Sequence, residues 1–380
     1  MDKFDWRKTI NVNLVVLRFV GLWPAGYEVY KMDLYLLYST FTSITIIGGH
    51  NLSQIVNIYY VYADLEALSG TIFIAATNIF AVVKRYFFIR NLKLIKKLFI
   101  TLNTYQFRPT ISRHLPLVNR SVRSWKTAYF SFCLIVYSNV TLWSIVPIIN
   151  HWVKDHKLPF EAWYPFKTDL SPNYELAYVY QLICIWFITV SNLNLDTFIY
   201  AFMMFIGIQC DILIDDLKHL EDDKNFGRKL TNCIKHHEEI LKFAKNSNDF
   251  FNYIILGQIA TSTAALALAM FQLSLVDVSS GVAYTHVAYI FGMSAEIFWY
   301  CWLGNEVELK SAQIPYAVYE SQWIGQSESA IRNIIILCQR CQKPIKITAI
   351  NLFTLSLHTF IGILRSAWSY FAVLSTVNNK

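Results

Sequence analysis

The sequence contains few charged residues for its length. Only 16% of its 380 residues are Asp, Glu, Lys or Arg, whereas 55% are hydrophobic and 16% are aromatic. A soluble domain of this size forms a complete core with less apolar and more charged sequence. Because apolar side chains need no polar cover in a bilayer, the composition indicates a membrane protein. The net charge of +7 would also suit nucleic acid, but the positions of the charges favour a lipid bilayer and no nucleic-acid partner.

The sequence also lacks the patterns of a disulfide framework, a metal site or a catalytic centre. Most of its seven cysteines fall in or near apolar runs or in loops predicted to be cytosolic, so disulfides are not expected to hold the fold. Cys338-x-x-Cys341 has no second ligand pair nearby, and the HHEE run at 236–239 lacks the spacing that places two metal ligands on one helix face. The charged N-terminal stretch is not a cleavable signal peptide. We expect no enzyme activity, no metal and no cofactor.

What the sequence does have is a series of long apolar stretches. A membrane-spanning helix needs roughly 20 mostly apolar residues. Seven stretches meet this requirement, at about 34–61, 67–83, 127–149, 177–207, 250–276, 282–303 and 349–377. No internal repeat and no long low-complexity segment is visible. We therefore predict an all-α membrane protein with seven transmembrane helices in a single domain covering residues 1–380.

The distribution of Lys and Arg predicts the orientation of these spans. The N-terminal segment and every second loop after it together carry 28 Lys and Arg residues, against four in the alternate loops and the C-terminal tail. Cytosolic loops carry the excess of positive charge, so the N-terminus is expected in the cytosol and the C-terminus outside. A G-protein-coupled receptor has the opposite orientation. A retinal-type pump is disfavoured too, since the last span has no lysine for a Schiff base.

The most specific pattern lies in the C-terminal third. It comprises Phe298-Trp-Tyr-Cys-Trp-Leu-Gly-Asn-Glu306, then Ser311, then Tyr319-x-x-x-Trp323, and after Pro344 a last span ending Leu364-Arg-Ser-Ala-Trp-Ser-Tyr-Phe-Ala-Val-Leu374. In order and spacing these pieces resemble the insect odorant receptor family. The loop Pro159-Phe-x-x-Trp-Tyr-Pro165 resembles it as well. The resemblance covers essentially the whole chain, and the predicted topology agrees with it independently.

The resemblance implies a tetrameric cation channel in the plasma membrane of sensory neuron dendrites. Its subunits surround one pore formed by the end of span seven, and a tuned subunit binds a small volatile ligand. A shared co-receptor subunit completes the channel and is longer between spans four and five. That loop has only about 40 residues here, so the chain resembles the tuned subunit. The helical segments 208–249 and 310–348 are expected to extend the spans into the cytosol and to form the subunit contact.

The resemblance also implies a ligand pocket among spans two, three, four and six, in the outer half of the membrane. On this chain the corresponding candidates are Phe73, Ile74, Thr77, Val136, Asn139, Val140, Trp143, Ser144, Tyr178, Ile185, Tyr284, His286 and Tyr289. Aromatic rings with a few hydroxyl groups bind a small volatile by shape and dispersion. Asn139 and Trp143, four residues apart on one helix face, are the strongest pair. For any single residue, ordinary packing explains the side chain equally well.

A stripe of small and polar side chains follows one face of the last span. It consists of Gly362, Ser366, Ser369, Val373 and Val377, at spacings of three and four. From the residues alone, close approach of helices is the more common reason for such a stripe. The resemblance favours a pore lining instead, in which Val373 and Val377 form a hydrophobic gate that closes by dewetting.

Three charged residues fall at similar depths within the predicted spans, namely Asp196, Glu296 and Arg365. Charges inside a membrane are costly and usually paired. We expect Arg365 to pair with Asp196 or Glu296 and so to face away from a cation pore. The competing interpretation is that one of the acids faces a water-filled vestibule.

Two other membrane functions compete with this interpretation. A gustatory-type chemoreceptor channel would have the same topology but other ligands and no shared co-receptor; Tyr319-x-x-x-Trp323 and the Ser369-Tyr-Phe371 ending favour the odorant branch. A multi-pass transporter would usually show repeated halves or helices broken by Gly and Pro near mid-membrane. Only 13 Gly and 9 Pro are present, which makes the transporter the weaker alternative.

Overall fold

The computed structural model describes residues 4–26, 30–109, 111–149, 156–221, 225–277 and 280–378. The helices are α1 (Asn11–Phe19), α2 (Leu34–Thr42), α3 (Gly49–Val61), α4 (Leu65–Arg90), α5 (Leu92–Leu102), α6 (His114–Ile149), α7 (Asn173–Lys218), α8 (Phe226–Leu275), α9 (Gly281–Ala312), α10 (Ile314–Tyr319), α11 (Glu328–Cys341) and α12 (Leu357–Asn378). Strands β1 (Thr348–Ala349) and β2 (Phe353–Thr354) pair antiparallel. Two 3-10 turns lie at Trp6–Ile10 and Tyr105–Phe107, and a π-helical segment at Ser43–Gly48 joins α2 to α3.

Helix α7 is the centre of the bundle. Every residue from Leu193 to Cys210 is buried, which agrees with a sequence that is apolar on most sides of the helix at this level. Helices α1, α4, α6, α8, α9 and α10 all pack against it. The side chain of Asn13 in α1 reaches into this packing and donates hydrogen bonds to the Asn194 carbonyl (2.9 Å) and the Thr197 hydroxyl (2.8 Å). The N-terminal segment is thereby fixed to the centre of the bundle.

Within the described part of the chain, five helices are individually long and apolar enough to cross a membrane, namely α4, α6, α7, α8 and α12. Two further crossings are formed differently. Helices α2 and α3 continue through the π-helical segment as one rod over 34–61, and α9 has 32 residues but carries Glu296, Glu306, Glu308 and Lys310. Acidic and basic groups in α9 lower its mean hydropathy without shortening the helix.

Several helices are longer than the apolar stretches that predict them. Helix α7 has 46 residues and α8 has 50, so each is about 70 Å long against a hydrocarbon core of about 30 Å. Their excess length projects at the end of the bundle that carries α5, α10 and α11, called the basic end below. Helix α4 continues past the predicted limit of 83 to Arg90, which places Lys84 and Arg85 inside the bundle.

The last helix begins later than the predicted span 349–377. Residues 348–354 form the β1–β2 hairpin, in which Ile350 and Asn351 have positive φ angles that a helix cannot accommodate. The Asn248 side chain of α8 binds this hairpin, because its Oδ1 accepts the Thr348 backbone N–H at 3.0 Å. Helix α12 then packs along the outside of α8 and α9, and only Ile363 and Ala367 on it are buried.

The close approach of α9 to Leu355, two residues before α12, depends on a glycine. A Cβ atom on Gly304 would lie 2.9 Å from the Leu355 carbonyl oxygen and would overlap the Leu355 side chain. We expect Gly304→Ala to force α9 and the hairpin apart and to destabilise the protein by about 1–3 kcal/mol, as overpacking does. The melting temperature of detergent-solubilised protein, followed by fluorescence-detected size exclusion, measures this loss.

Gly227 in α8 is the matched control, because a Cβ there meets no atom within 4 Å. Gly227→Ala should leave the melting temperature unchanged or raise it slightly, since alanine favours the helix by up to about 1 kcal/mol. Equal melting temperatures for the two variants would show that the contact at Gly304 does not limit packing.

Candidate ligand cavity and buried ion cluster

A cavity of about 130 Å³ lies between α4, α6, α7 and α9. Its walls are mostly apolar, as in typical small-molecule sites. The lining residues are Ile74, Thr77, Asn78, Ala81, Phe132, Val136, Asn139, Val140, Trp143, Phe160, Ile185, Ile188, Thr189, Asn192, Leu193, Tyr289, Gly292, Met293 and Glu296. An apolar cavity of about 150 Å³ accepts benzene, so this volume suits a compound with one small ring.

The loop before α7 closes one end of the cavity. Phe160 of this loop stacks on Trp143, with ring centroids 5.5 Å apart. The buried Gln181 side chain holds the loop, because its Oε1 accepts the Phe160 backbone N–H (3.2 Å) and its amide donates to the Phe160 carbonyl (2.9 Å). Next to it, the Thr71 hydroxyl donates to Glu161. Burial raises the pKa of the Glu161 carboxyl.

Eight of the thirteen residues predicted to bind ligand line this cavity. They are Ile74, Thr77, Val136, Asn139, Val140, Trp143, Ile185 and Tyr289. Phe73 and His286 lie one layer behind, where the Phe73 ring packs against Trp143, His286 and Tyr289 at centroid distances of 5.1–6.0 Å. These two residues support the wall without lining it.

The other three predicted ligand residues lie away from the cavity. The Tyr178 hydroxyl donates to the Ser144 backbone carbonyl at 3.0 Å, and the Trp186 indole N–H donates to the Ser144 hydroxyl at 3.4 Å, so both residues serve the contact between α6 and α7. Tyr284 is 61% exposed on the outer face of α9. Placing Tyr284 in the pocket is therefore wrong for this structure: His286 and Tyr289 share the inward face of the helix, whereas Tyr284 points outward.

Sequence reasoning missed other lining residues for identifiable reasons. Ile188, Thr189 and Asn192 follow Ile185 at helical spacing, so extending that face of α7 by two turns would have found them. Gly292 and Glu296 extend the Tyr289 face of α9 in the same way. Phe160 has no such signal, because a loop returns to the cavity only in three dimensions.

The cavity contains unpaired polar groups. The amide oxygens of Asn139 and Asn192 are both buried, and neither accepts a hydrogen bond from any described residue. The Thr77 hydroxyl, by contrast, donates to the Ile74 carbonyl of its own helix. Buried amide groups without partners are costly, so a polar ligand atom next to them would lower their free energy.

A buried ion cluster forms one end of the cavity. Lys84 of α4 lies between two acids, with its Nζ 2.6 Å from Asp196 Oδ1 on α7 and 3.2 Å from Glu296 Oε1 on α9. The Tyr300 hydroxyl also donates to Asp196 Oδ1, at 2.7 Å. All three charged side chains are at most 5% exposed. The cluster therefore joins three helices at one point.

This cluster corrects the predicted pairing of Arg365. The two acids do lie together, but their cation is Lys84, and Arg365 lies on the exposed side of α12. The error has a physical origin. Lys84 lies just outside the predicted span 67–83, whereas α4 continues six residues beyond Lys84 and carries it into the core.

The predicted pore stripe lies on the outer face of α12. Gly362, Ser366, Ser369, Val373 and Val377 are all exposed in the single chain, Val373 to 61% and Val377 to 58%. The adjoining face packs against the bundle through Ile363 and Ala367. The stripe is thus free to face either a pore or a neighbouring subunit.

One group of side chains in the described residues has the geometry of a metal site. At the basic end, His114, Asp215 and Asp216 place their ligand atoms within 4.8 Å of one another. Arg113 and His114 already bind these acids, with Arg113 Nε 3.3 Å from Asp215 and His114 Nε2 2.9 Å from Asp216. The group is accounted for as an ion-pair cluster.

The neighbouring histidines of the HHEE run are packing residues. His236 Nε2 lies 2.9 Å from the Gln209 amide oxygen, and His237 Nε2 lies 3.6 Å from Cys341 Sγ. Burial lowers the pKa of His236 to about 4, so it is uncharged at neutral pH. Each of the seven cysteines is a free thiol.

Comparison with known proteins agrees with the whole-chain architecture. A family model described as "7tm Odorant receptor" matches residues 64–368. Odorant receptor Or1 of Anopheles gambiae is 23% identical over all of this chain and 98% of its own length. The odorant receptor coreceptor of Drosophila melanogaster is 30% identical over 37% of this chain and 29% of its own length.

A solved structure has the same fold. It is the insect olfactory receptor OR5 from Machilis hrabei in complex with eugenol, with a TM-score of 0.88 and 21% identity over 98% of each chain. This likeness supports a seven-span helical fold, in which α2 and α3 together form one membrane span and α9 forms another.

The ion cluster generates a stability prediction. Lys84→Met removes the cation and leaves two carboxylates buried together, which should cost about 3–5 kcal/mol. We expect a large fall in the melting temperature of the solubilised protein and in its surface expression.

Arg365→Gln is the control, because this exposed arginine has no part in the cluster. It should leave the melting temperature within a degree or two of the unmodified chain. A loss of stability in Arg365→Gln as large as that in Lys84→Met would contradict the assignment of Lys84 as the partner of both acids.

Proposed function

The chain belongs to the seven-transmembrane odorant receptor family, and from this premise we propose that it is the odorant-binding subunit of a ligand-gated cation channel. As a member of that family it is a helical membrane receptor and not an enzyme. The observation that carries the proposal is the cavity among α4, α6, α7 and α9, with aliphatic and aromatic walls and a few polar groups. Such a cavity binds a small apolar molecule by shape and dispersion.

Helix α12 is proposed to line the pore. It is long and apolar enough to cross a membrane, yet only 11% of the residues in its most apolar 18-residue stretch are buried within the chain. A helix so little covered by its own subunit needs lipid or other subunits around it. In a tetramer the stripe of Ser366, Ser369, Val373 and Val377 would face the central axis, with the two valines as the gate.

The partner is proposed to be the odorant co-receptor, in a heterotetramer. The similarity to the coreceptor of Drosophila melanogaster supports a common architecture for the two kinds of subunit. The similarity to odorant receptor Or1 of Anopheles gambiae, by contrast, extends over both chains almost completely. This chain therefore takes the place of the tuned subunit, in the plasma membrane of sensory dendrites, with its N-terminus and basic end in the cytosol.

The test is whole-cell current in cells that express this chain with and without an insect co-receptor, under a panel of volatile compounds. We expect a fast, non-selective cation current that requires both subunits and persists when G proteins are blocked. Surface expression of both subunits without current to any volatile would overturn the channel proposal.

The valine gate makes a second prediction. Val373→Thr keeps the shape of the side chain but replaces one methyl group with a hydroxyl group, which stabilises water in a narrow apolar constriction. Cells that express the Val373→Thr chain with the co-receptor should therefore carry a basal current several times larger than cells with the unmodified chain, before any ligand is applied.

The matched control is Ile361→Thr, at an exposed position of α12 away from the stripe. This variant should conduct no more without ligand than the unmodified channel. If both variants, or neither, raised the basal current, the assignment of Val373 to a gate would be wrong.

A further inference from the structure

Arg365 is a positive charge in the last span that has no partner in its own chain. Helix α12 contains no Asp or Glu, and the exposed Arg365 side chain forms no hydrogen bond or ion pair with any described residue. A guanidinium group keeps its charge in proteins, and a charged side chain inside a membrane is costly unless acceptors meet it. The acceptors of Arg365 must therefore come from outside this chain.

The Arg365 side chain points away from the rest of its subunit. Helix α12 packs against the bundle through Ile363 and Ala367, and at 3.6 residues per turn Arg365 lies about 160° around the helix from each of them. It lies about 80° from Val373 of the proposed pore stripe. With that stripe on the central axis of a tetramer, Arg365 faces the adjoining subunit and not the lumen.

Contacts between α9 and α12 show how deep Arg365 lies in the membrane. Gly304 lies against Leu355, and Phe298, nearer the start of α9, packs against Phe360 with ring centroids 5.6 Å apart. The two helices are therefore antiparallel, and the same register places Arg365 level with the α9 residues that line the ligand cavity. This position is about 12 Å along the axis from the start of α12, well inside a hydrocarbon core of about 30 Å.

A second copy of this chain offers Arg365 no carboxylate at this depth. Among the described residues the acids at this level are Asp196 and Glu296, and both are buried around Lys84. A second copy would also bring its own Arg365 to the same level. Four copies would thus place four unpaired cations around one cation pore, which would oppose cation flow.

We propose that Arg365 binds a carboxylate of the adjoining co-receptor subunit within the membrane, and that this ion pair favours the co-receptor over a second copy of the chain. The inference rests on the proposed function, in which the chain is a channel subunit with a non-identical partner, and it adds the residue that recognises this partner. A guanidinium group matches a carboxylate with two parallel hydrogen bonds. A partner without the acid is disfavoured because it leaves the charge unpaired.

Co-purification measures this contact. The full chain and an insect co-receptor carry different affinity tags, are expressed together and are solubilised in mild detergent, and the co-receptor recovered per chain is quantified. Arg365→Gln should lower this recovery at least fivefold, whereas Arg365→Lys, which keeps the charge, should retain more than Arg365→Gln. Equal recovery by Arg365→Gln and the unmodified chain would overturn the proposal, and is the result expected if the guanidinium reaches lipid headgroups instead.

Two controls separate recognition from folding and from general charge. Arg365→Gln expressed without the co-receptor should melt within a degree or two of the unmodified chain. A larger fall would show that Arg365 serves its own chain, contrary to the proposal. Lys93→Gln removes another exposed positive charge, on α5, and should leave the recovery unchanged. A loss in Lys93→Gln equal to that in Arg365→Gln would refute a specific role for Arg365.

Charge reversal tests the chemistry of the partner. Arg365→Glu should lower the recovery at least as far as Arg365→Gln, because two carboxylates would then face each other. Each Asp and Glu in or at the ends of the co-receptor's predicted spans is next replaced by Arg, one at a time, and combined with Arg365→Glu. One combination should restore at least half of the original recovery. Failure of every combination would overturn the assignment of a carboxylate partner.

A last measurement tests a second copy as the partner. Two differently tagged copies of the chain are expressed without the co-receptor, and Arg365→Gln in both should not weaken their association. Weaker association of the copies, with unchanged recovery of the co-receptor, would place the partner of Arg365 in a second copy and overturn the proposal. Failure of the channel proposal shows as absent current, whereas failure of this one shows in recovery, which needs neither ligand nor current.

Discussion

The pairing of Lys84 with Asp196 and Glu296 is the constraint on which the arrangement of the transmembrane bundle depends. It connects α4, α7 and α9 at one depth, where every partner is buried. Charges inside a membrane protein require partners because neither lipid nor a dry protein interior solvates them. The three helices must therefore keep their register and rotation, and this fixes the positions of the side chains that surround the cavity.

Helix α9 connects the ion cluster to the cavity on one side and to the start of α12 on the other. At intervals of four residues it presents Gly292 to the cavity, Glu296 to Lys84, Tyr300 to Asp196 and Gly304 to Leu355, two residues before α12. One face of a single helix thus touches the proposed ligand site, the ion cluster and the start of the proposed pore helix. A contiguous path of packed groups is the physical requirement for a ligand to favour one state of a distant gate.

Much of the cavity could be predicted from the residues because helical spacing places them on one face. Asn139, Val140 and Trp143 lie together on α6, and all three line the cavity. The failures share a cause as well. Tyr284 lies near His286 and Tyr289 in the sequence but faces outward, and Lys84 falls outside the predicted span because hydropathy marks the end of an apolar run and not the end of a helix. The pairing of acids with Arg365 followed from that error.

The sequence by itself determined the class of protein, a bundle of apolar helices with a strong bias of positive charge, because composition and charge are properties of each segment taken alone. It also indicated the family, since the order and spacing of short motifs can be read from the sequence without knowledge of the fold. The tertiary structure alone decided which cation lies between Asp196 and Glu296, that Phe160 closes the cavity, and that Arg365 lies opposite the packed face of α12. Each of these depends on groups brought together from distant parts of the chain, and such contacts follow from packing rather than from spacing along a helix.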